Sequence, residues 1–263
     1  MDTDQAPEQQ PLAATPTEET PILEVEKLYK FYTMGGAEFP VLKEIDLTVK
    51  RGTFVVIMGP SGSGKSTLLH LVSGLEKPSG GTVTLDGRRL FELSESARTL
   101  LRRDLVGFVF QFYNLIPNLT VEQNIKLPLF ISGRDEEEAG YKDLLRFFAL
   151  EKKDRHLPYQ LSGGEMQRTS IARALIGSPA VIMADEPTGN ISSQAGEEVM
   201  GLLRRCSDEM NQTILLVTHN ARDAGYGDKV HFLKDGELSS EVWLEGEQVN
   251  ESNIFDCLQK LDI

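Results

Sequence analysis

The sequence predicts an α/β protein built on a mostly parallel sheet. Two observations lead to this fold class. Strand-like and helix-like segments alternate along most of the chain, which is the pattern of parallel strands joined by crossover helices. The segment TFVVIM at 53–58 is a nearly continuous apolar run, as expected of a strand that is covered on both faces. The chain has 263 residues, of which 40% are apolar, and this is enough for one sizeable core.

Each predicted element has a local reason. Alternating or continuous apolar residues predict the strands, in chain order, ILEV (22–25), IDLTV (45–49), TFVVIM (53–58), GGTVTLDG (80–87), VGFVF (106–110), the run at 180–184, TILLVT (213–218) and the hairpin VHFLKDGEL (230–238). Apolar residues at helical spacing predict helices in STLLHLVSGL (66–75), in RDEEEAGYKDLLRFFAL (134–150), from Ser162 onward, near 194–206 and in NIFDCLQKLDI (253–263).

The charge balance narrows the range of partners. The chain has 27 basic and 40 acidic residues, a net charge of -13. Proteins that bind nucleic acid or anionic lipid usually present a basic surface, so we expect no nucleic acid and no bare membrane as the main partner. Residues 1–21 contain five acids and neither Lys nor Arg. They therefore predict a disordered acidic tail, because they cannot bury enough apolar surface to offset the entropy of ordering.

The cysteines, the lengths of the apolar runs and the N-terminal sequence indicate the cellular compartment. Cys206 and Cys257 lie far apart and outside any C-x-x-C pair, which predicts two reduced thiols. No apolar run approaches the ~18 residues that a membrane span needs, and the N-terminus lacks the pattern of a secretion signal. We therefore expect no direct membrane insertion and a chain on the cytoplasmic side of the membrane.

The segment GPSGSGKS at 59–66 matches the phosphate-binding pattern G-x-x-x-x-G-K-[ST]. Its glycines let backbone N–H groups curl around phosphates, and the helix that follows points its positive end at the same anion. Lys65 is expected to reach the β- and γ-phosphates, and Ser66 to offer its hydroxyl to Mg²⁺. The loop predicts a nucleoside triphosphate site, and no N-K-x-D string that would read guanine is present.

Two carboxylates, Asp185 and Glu186, end the apolar run VIMAD. Asp185 is suited to hold a metal shell, and Glu186, one residue further, is suited to polarise an attacking water as a general base. The alternative is a strand end with two solvated acids and an ordinary turn. Two polar residues at other strand ends favour the first interpretation: Gln111 follows VGFVF, and His219 follows TILLVT.

The segment LSGGE at 161–165 precedes a predicted helix. Ser162 and Glu165 have the spacing of a capping box, which is a purely structural alternative. A capping box does not require Gly163 and Gly164, however, and paired glycines there expose N–H groups at a positive helix end. The chain thus has two candidate phosphate-binding surfaces, which are hard to explain within one monomer that binds one nucleotide.

These strings together resemble the ATP-binding cassette (ABC) family over nearly the whole of residues 22–242. The matching strings are GPSGSGKST, FVFQ, LSGGEMQR, VIMADEPTGN and VTHN, in the family's order. The resemblance implies an ABC-type P-loop fold with an antiparallel β subdomain and a helical subdomain at about 112–178. It leaves residues 243–263 as a C-terminal extension. It also implies a head-to-tail homodimer, or a pair with a similar subunit, in which each ATP is bound by one subunit's phosphate loop and the other's LSGGE segment.

The resemblance also assigns roles to residues. It implies ATP and Mg²⁺ as ligands and catalytic roles for Glu186, His219 and Gln111, with Mg²⁺ held by Ser66, Gln111 and Asp185. It implies a clamp on the partner's ATP by Ser162, Gly163, Gly164 and Glu165. The implied ATP-binding residues are Tyr32, which would stack on adenine, and Gly59, Pro60, Ser61, Gly62, Ser63, Gly64, Lys65, Ser66 and Thr67. An ordinary core or surface tyrosine remains the alternative for Tyr32, since Tyr29 and Phe31 are its neighbours.

More narrowly, LPYQLSGGEMQR and ADEPTGN look like the subgroup of lipoprotein-release, macrolide-exporter and cell-division ATPases. This likeness implies an ATPase that works on a separate integral membrane subunit, as a peripheral protein on the cytoplasmic face of the inner membrane. One departure is Ser192, where the subgroup usually carries an Asp that contacts the facing subunit. Folding is expected to be unaffected, and coupling between the two ATP sites is expected to be weaker.

Two other classes of protein stay open at this point. Soluble cassette ATPases that act on DNA or ribosomes carry long coiled-coil insertions, zinc cysteines or two cassettes per chain, and none of these is visible in the sequence. A regulatory ATP-binding module without turnover is favoured slightly by Ser192, but the intact Glu186 and His219 oppose it.

Overall fold

The computed structural model describes residues 20–134 and 138–263, which form two sheets and eight α-helices. The strands are β1 (Leu23–Met34), β2 (Ala37–Val49), β3 (Phe54–Met58), β4 (Gly80–Leu85), β5 (Arg88–Arg89), β6 (Val106–Val109), β7 (Val181–Asp185), β8 (Thr213–Thr218), β9 (Lys229–Lys234) and β10 (Glu237–Glu245). The helices are α1 (Lys65–Val72), α2 (Glu95–Leu105), α3 (Val121–Ser132), α4 (Glu138–Phe147), α5 (Gly163–Leu175), α6 (Ser193–Met210), α7 (Ala221–Ala224) and α8 (Glu251–Lys260).

The larger sheet has six strands in the order β10-β9-β3-β8-β7-β6. All its pairs are parallel except the pair of β10 with β9 at one edge. The central strands β3 and β8 are buried along their whole length, in agreement with their continuous apolar sequences. The prediction of an α/β fold with a mostly parallel sheet is confirmed.

The smaller sheet is antiparallel, in the order β2-β1-β4-β5. Its strand β2 alternates along its second half, where Leu42, Ile45, Leu47 and Val49 are buried and the residues between are more exposed. This alternation is the mark of a strand with one face on a core.

Two apolar cores lie on the two faces of the parallel sheet. Along β3, Phe54, Val56 and Met58 belong to one core, which includes residues of α3 to α6 and α8. Val55 and Ile57 belong to the other core, which includes residues of α1 and of the antiparallel sheet. The alternation of side chains along a strand thus divides one apolar run between two layers.

Helices α3, α4 and α5 occupy the chain between β6 and β7, within the range 112–178. A reciprocal capping box at Thr120 and Gln123 begins α3, and Gly133 in the left-handed conformation ends it. Of the segment 134–150, predicted as one helix, the structure describes α4 from Glu138 onward, and residues 135–137 lie outside the described part.

The C-terminal segment belongs to the fold. Strand β10 continues to Glu245, so the boundary predicted after residue 242 falls inside a strand. Helix α8 buries Ile254 and Cys257 in the core that contains Phe54. The predicted acidic tail lies almost wholly outside the described residues. Among those described, we find no helix with the length and apolar character of a membrane span.

Candidate functional site

The phosphate loop connects β3 to α1 at the carboxyl end of the parallel sheet. Gly62 and Gly64 adopt φ values of 83° and 103°, which favour glycine. A Cβ on Gly59 would lie 2.1 Å from the carbonyl oxygen of Leu233, so no larger residue fits there. The backbone conformation and the close packing of the loop therefore require its glycines. The loop leads to the N–H groups at the start of α1, which have no partner within the helix.

Lys65 is the first residue of α1, and only 4% of it is exposed. Its amine donates hydrogen bonds of 2.9 Å to the carbonyl oxygens of Gly59 and Pro60, and it lies 3.7 Å from Glu186 Oε1. Burial lowers the pKa of this amine, while the charges of Glu186 and Asp185 act in the opposite direction. The loop thus holds a desolvated cation inside its curve.

Ser66 and Asp185 meet where α1 passes the end of β7. The Ser66 hydroxyl donates a 3.0 Å hydrogen bond to Asp185 Oδ1. Burial raises the pKa of the Asp185 carboxyl, and the bond from Ser66 partly opposes this shift. One hydroxyl and one carboxylate at this distance form a donor set that fits Mg²⁺, which prefers oxygen ligands and few protein groups. Within the described residues, no cluster of three His, Cys, Asp or Glu forms a complete metal cage.

Glu186 lies immediately beyond β7, with a φ of 45°. Its N–H bonds to the carbonyl oxygen of Val217 at 2.9 Å, which fixes it to the end of β8. Its Oε2 lies 2.6 Å from Nδ1 of His219, whose side chain is 52% exposed. The structure therefore brings together Lys65, Asp185, Glu186 and His219 from three separate segments of the chain.

Gln111 lies next to the turn that follows the carboxylate pair. A Cβ on Gly189 would lie 2.9 Å from Gln111 Nε2, and Asn190 Nδ2 donates to the Gln111 carbonyl at 2.9 Å. Tyr113 donates its hydroxyl hydrogen to the carbonyl of Asn190 at 2.9 Å. Gln111 is thus placed near the carboxylate turn, and no hydrogen bond between Gln111 and Asp185 is found among the described residues.

The LSGGE segment forms the start of α5. Ser162 and Glu165 make the reciprocal capping box: the Ser162 hydroxyl accepts from the Glu165 N–H at 3.3 Å, and Glu165 accepts from the Ser162 N–H at 2.7 Å. Glu165 also pairs with Lys153 at 3.1 Å. Within the described part of the chain, no hydrogen bond or ion pair joins this segment to the phosphate loop. A Cβ on Gly163 would lie 3.1 Å from the Tyr113 hydroxyl and 3.7 Å from the carbonyl oxygen of Asn190, so the segment packs against the turn that follows the carboxylate pair.

Tyr32 lies on β1 of the antiparallel sheet, with 37% of it exposed. Its hydroxyl donates a 2.9 Å hydrogen bond to Glu76, and the Lys30 amine lies 4.8 Å from its ring centre. Burial and the bond to Glu76 raise the pKa of this hydroxyl. The ring is thus held in a defined position, and its predicted role in stacking on adenine stays a prediction.

Two further residues near the carboxylate pair were not predicted from the sequence to belong to this region. Thr188, in the turn after Glu186, donates a hydrogen bond to the carboxylate of Asp223 in α7. Asp223 is buried, with 4% exposed. The one available signal was an acidic residue four positions after His219, in a short segment with no evident helical pattern.

The chain matches the family description "ABC transporter" over residues 42–189. It is 42% identical over 231 residues to the uncharacterized ABC transporter ATP-binding protein MJ0796 of Methanocaldococcus jannaschii, and the match covers 86% of this chain and 98% of the relative. It is 43% identical over 222 residues to the lipoprotein-releasing system ATP-binding protein LolD of Shewanella denitrificans, with 84% and 95% covered.

Solved structures agree with these relatives. The ATP-binding cassette MJ0796 has been solved as a dimer in a post-hydrolysis state bound to ADP and Pi, and it matches this chain with a TM-score of 0.77 at 40% identity. That match covers 85% of this chain and 98% of the solved one. The cbiO1 protein of Clostridium perfringens, part of the transporter complex cbiONQ, matches with a TM-score of 0.76 at 28% identity, with 93% and 95% covered. The chain belongs to the ABC transporter family, as an ATP-hydrolysing, ATP-binding subunit.

Proposed function

We propose that this chain couples ATP-driven dimerisation and hydrolysis to the work of a separate membrane subunit, in the manner of the LolD-type ATPases. That work is substrate export, lipoprotein release or force transmission across the membrane. Identities of 42% and 43% to MJ0796 and to a lipoprotein-releasing ATPase support this subgroup.

The observation that carries the chemistry is the position of Glu186. Its carboxylate lies between Lys65, at 3.7 Å, and His219, at 2.6 Å. We assign Glu186 as the general base that takes a proton from the attacking water, since a carboxylate beside the phosphate loop is suited to this task. His219 orients that carboxylate, and Lys65 stabilises the negative charge on the transferred phosphoryl group.

Gly59 to Thr67 would hold the phosphates of ATP, and Tyr32 would stack on its adenine. We assign Ser66, Asp185 and Gln111 to Mg²⁺, and the 3.0 Å bond between Ser66 and Asp185 supports the first two. Bound there, the ion would neutralise charge on the β- and γ-phosphates.

We further propose a head-to-tail homodimer, or a pair with a similar subunit, as in the dimeric solved cassettes. Ser162, Gly163, Gly164 and Glu165 would contact the ATP on the partner's phosphate loop. No hydrogen bond or ion pair joins the capping box to the phosphate loop within the described residues of one chain, and a second copy would give this second anion site a ligand, which supports the arrangement.

The membrane subunit would contact the region after Gln111. Phe112 is 71% exposed and Ile116 is 40% exposed, so both apolar side chains are accessible to a partner. From the likeness to lipoprotein-releasing ATPases, we further propose that the chain is a peripheral subunit on the cytoplasmic face of the inner membrane. The 22–242 domain and its helical subdomain at 112–178 are the parts that would carry this function.

The experiment is affinity purification of a Glu186→Gln variant with ATP from detergent-solubilised native membranes, followed by mass spectrometry. Glutamine keeps the size of the side chain but cannot accept the proton, so ATP should bind and hydrolysis should fall by a factor on the order of a hundred or more. The expected result is an ATP-bound dimer with a stoichiometric membrane protein.

A Lys65→Ala variant is the matched control. It lacks the cation of the phosphate loop, so it should lose ATP binding and yield no ATP-dependent dimer. Turnover of Glu186→Gln at the wild-type rate would remove the assignment of the base. Recovery of only soluble partners with an intact dimer would favour the soluble or regulatory classes instead.

A further inference from the structure

We propose that Asp223 is a positioning residue for hydrolysis: it joins the turn after Glu186 to the strand end before His219 and thereby sets the geometry of that pair. This inference rests on the proposed function, because it assumes that Glu186 and His219 act at the γ-phosphate.

The contacts of Asp223 span two segments. Its Oδ2 accepts from the hydroxyl of Thr188 and lies 3.5 Å from the hydroxyl of Thr218, and its Oδ1 accepts from Asn220 Nδ2 at 3.3 Å. Thr188 is two residues after Glu186, and Thr218 directly precedes His219. One carboxylate thus links both flanks of the pair.

The burial of Asp223 raises the free-energy cost of breaking its hydrogen bonds to Thr188 and Thr218. Asp223 is 4% exposed, and burial raises the pKa of its carboxyl while the bonds from Thr188 and Thr218 oppose the shift. A buried carboxylate needs its hydrogen bonds, because an unsatisfied one carries its full cost of desolvation. The hydroxyl of Thr188 is therefore held on Asp223.

The link has a direct consequence for the pair. Glu186 has a φ of 45°, a conformation that costs free energy in a residue with a Cβ and persists only when the surroundings determine it. Its N–H bond to Val217 fixes one side of the turn, and the bond of Thr188 to Asp223 fixes the other. The 2.6 Å contact of Glu186 with His219 depends on both.

The test compares Thr188→Val, which removes the hydroxyl at nearly constant volume, with Thr188→Ser, which keeps it. Thr188 also borders a cleft of about 690 Å³, so the valine methyl group has room. In steady-state ATPase assays of the full chain, Thr188→Val should lower kcat about tenfold, equal to about 1.4 kcal/mol in the barrier. It should leave the Kd for ATP within about twofold, and Thr188→Ser should recover most of the rate.

Asp223→Ala gives the second arm. If the two residues act through one hydrogen bond, the Thr188→Val/Asp223→Ala double variant should be no slower than Asp223→Ala alone. Should Asp223→Ala fail to fold, the valine and serine pair still decides the matter. The proposal is wrong if Thr188→Ser is as slow as Thr188→Val, or if both variants keep the wild-type kcat. The Glu186→Gln variant reports on the proposed function independently, since its outcome does not involve Asp223.

Discussion

Asp185 carries its carboxylate at the end of a buried strand, and the site keeps it there at a cost to the fold. Burial raises its pKa above the ordinary value for Asp. A raised pKa in the folded state means that the charged form is less favourable there than in the unfolded chain. The folded protein therefore loses stability as the pH rises through that raised pKa.

Asp185→Asn should therefore stabilise the metal-free protein at neutral pH and abolish Mg²⁺-dependent hydrolysis. Asparagine can still accept the bond from Ser66, but it carries no charge to desolvate. The gain should be present at about pH 7.5 and shrink as the pH falls through the raised pKa toward 3.8, the ordinary value for Asp, because Asp185 itself becomes neutral. Urea denaturation with a chelator at both ends of this pH range measures the gain, and an equal gain at both would contradict the prediction.

Residues whose chemistry is local could be predicted from the sequence, whereas residues defined by a distant partner could not. In GPSGSGKS and in the pair Asp185–Glu186, the residues that indicate the chemistry stand within a few positions of one another. The structure brings both segments to the carboxyl end of the parallel sheet. The role inferred for Asp223 depends on its hydrogen bond with Thr188, which is 35 positions away in the chain. No sequence pattern in either segment predicts this contact.

At the scale of elements, continuous apolar runs gave correct predictions for the central strands β3, β7 and β8, because burial on both faces leaves a simple pattern. The helix α2 was missed, since its sequence ESARTLLRRDL is rich in charge and only Leu101 in it is buried. The end of β10 was missed because that strand is largely exposed and lies at a sheet edge.

The C-terminal helix α8 should contribute to the stability of the whole domain. Ile254 is fully buried in the core that contains Phe54, so Ile254→Ala should lower the free energy of unfolding by roughly 2–4 kcal/mol. Phe255 is the matched control: it is the next residue, it is 51% exposed, and its replacement by Ala should cost less than about 1 kcal/mol. Denaturation followed by circular dichroism measures both. Equal effects would mean that α8 is not part of the core.

At the scale of the whole molecule, one chain carries two candidate anion sites, the phosphate loop and the start of α5, and no hydrogen bond or ion pair of the described residues joins them. Lys65 and Glu186 lie together at the carboxyl end of the sheet, whereas Ser162 is the N-cap of α5. Sequence reasoning predicted the two anion sites from their glycines, and they stay predictions. It could assign them to a dimer only through the family resemblance, because the contact between two chains leaves no spacing pattern within one.

Ser192 gives the last prediction, which concerns this dimer. The Ser192 hydroxyl caps α6 by accepting from the Ala195 N–H at 3.4 Å. Asp is an equally good cap, so Ser192→Asp should change the free energy of unfolding by less than about 0.5 kcal/mol. Ser192→Ala, which removes the cap, should cost about 1 kcal/mol. The aspartate restores the charge that the subgroup usually directs at the facing subunit. We therefore expect a higher Hill coefficient for ATP hydrolysis in Ser192→Asp and no rise in Ser192→Ala.

That comparison separates the cap from the dimer contact. A rise confined to the aspartate variant, whose cap is intact, would show that the charge acts across the interface. If the aspartate variant keeps both the wild-type ATPase rate and the wild-type cooperativity, the missing charge at residue 192 has no part in coupling the two sites. The serine would then serve α6 alone.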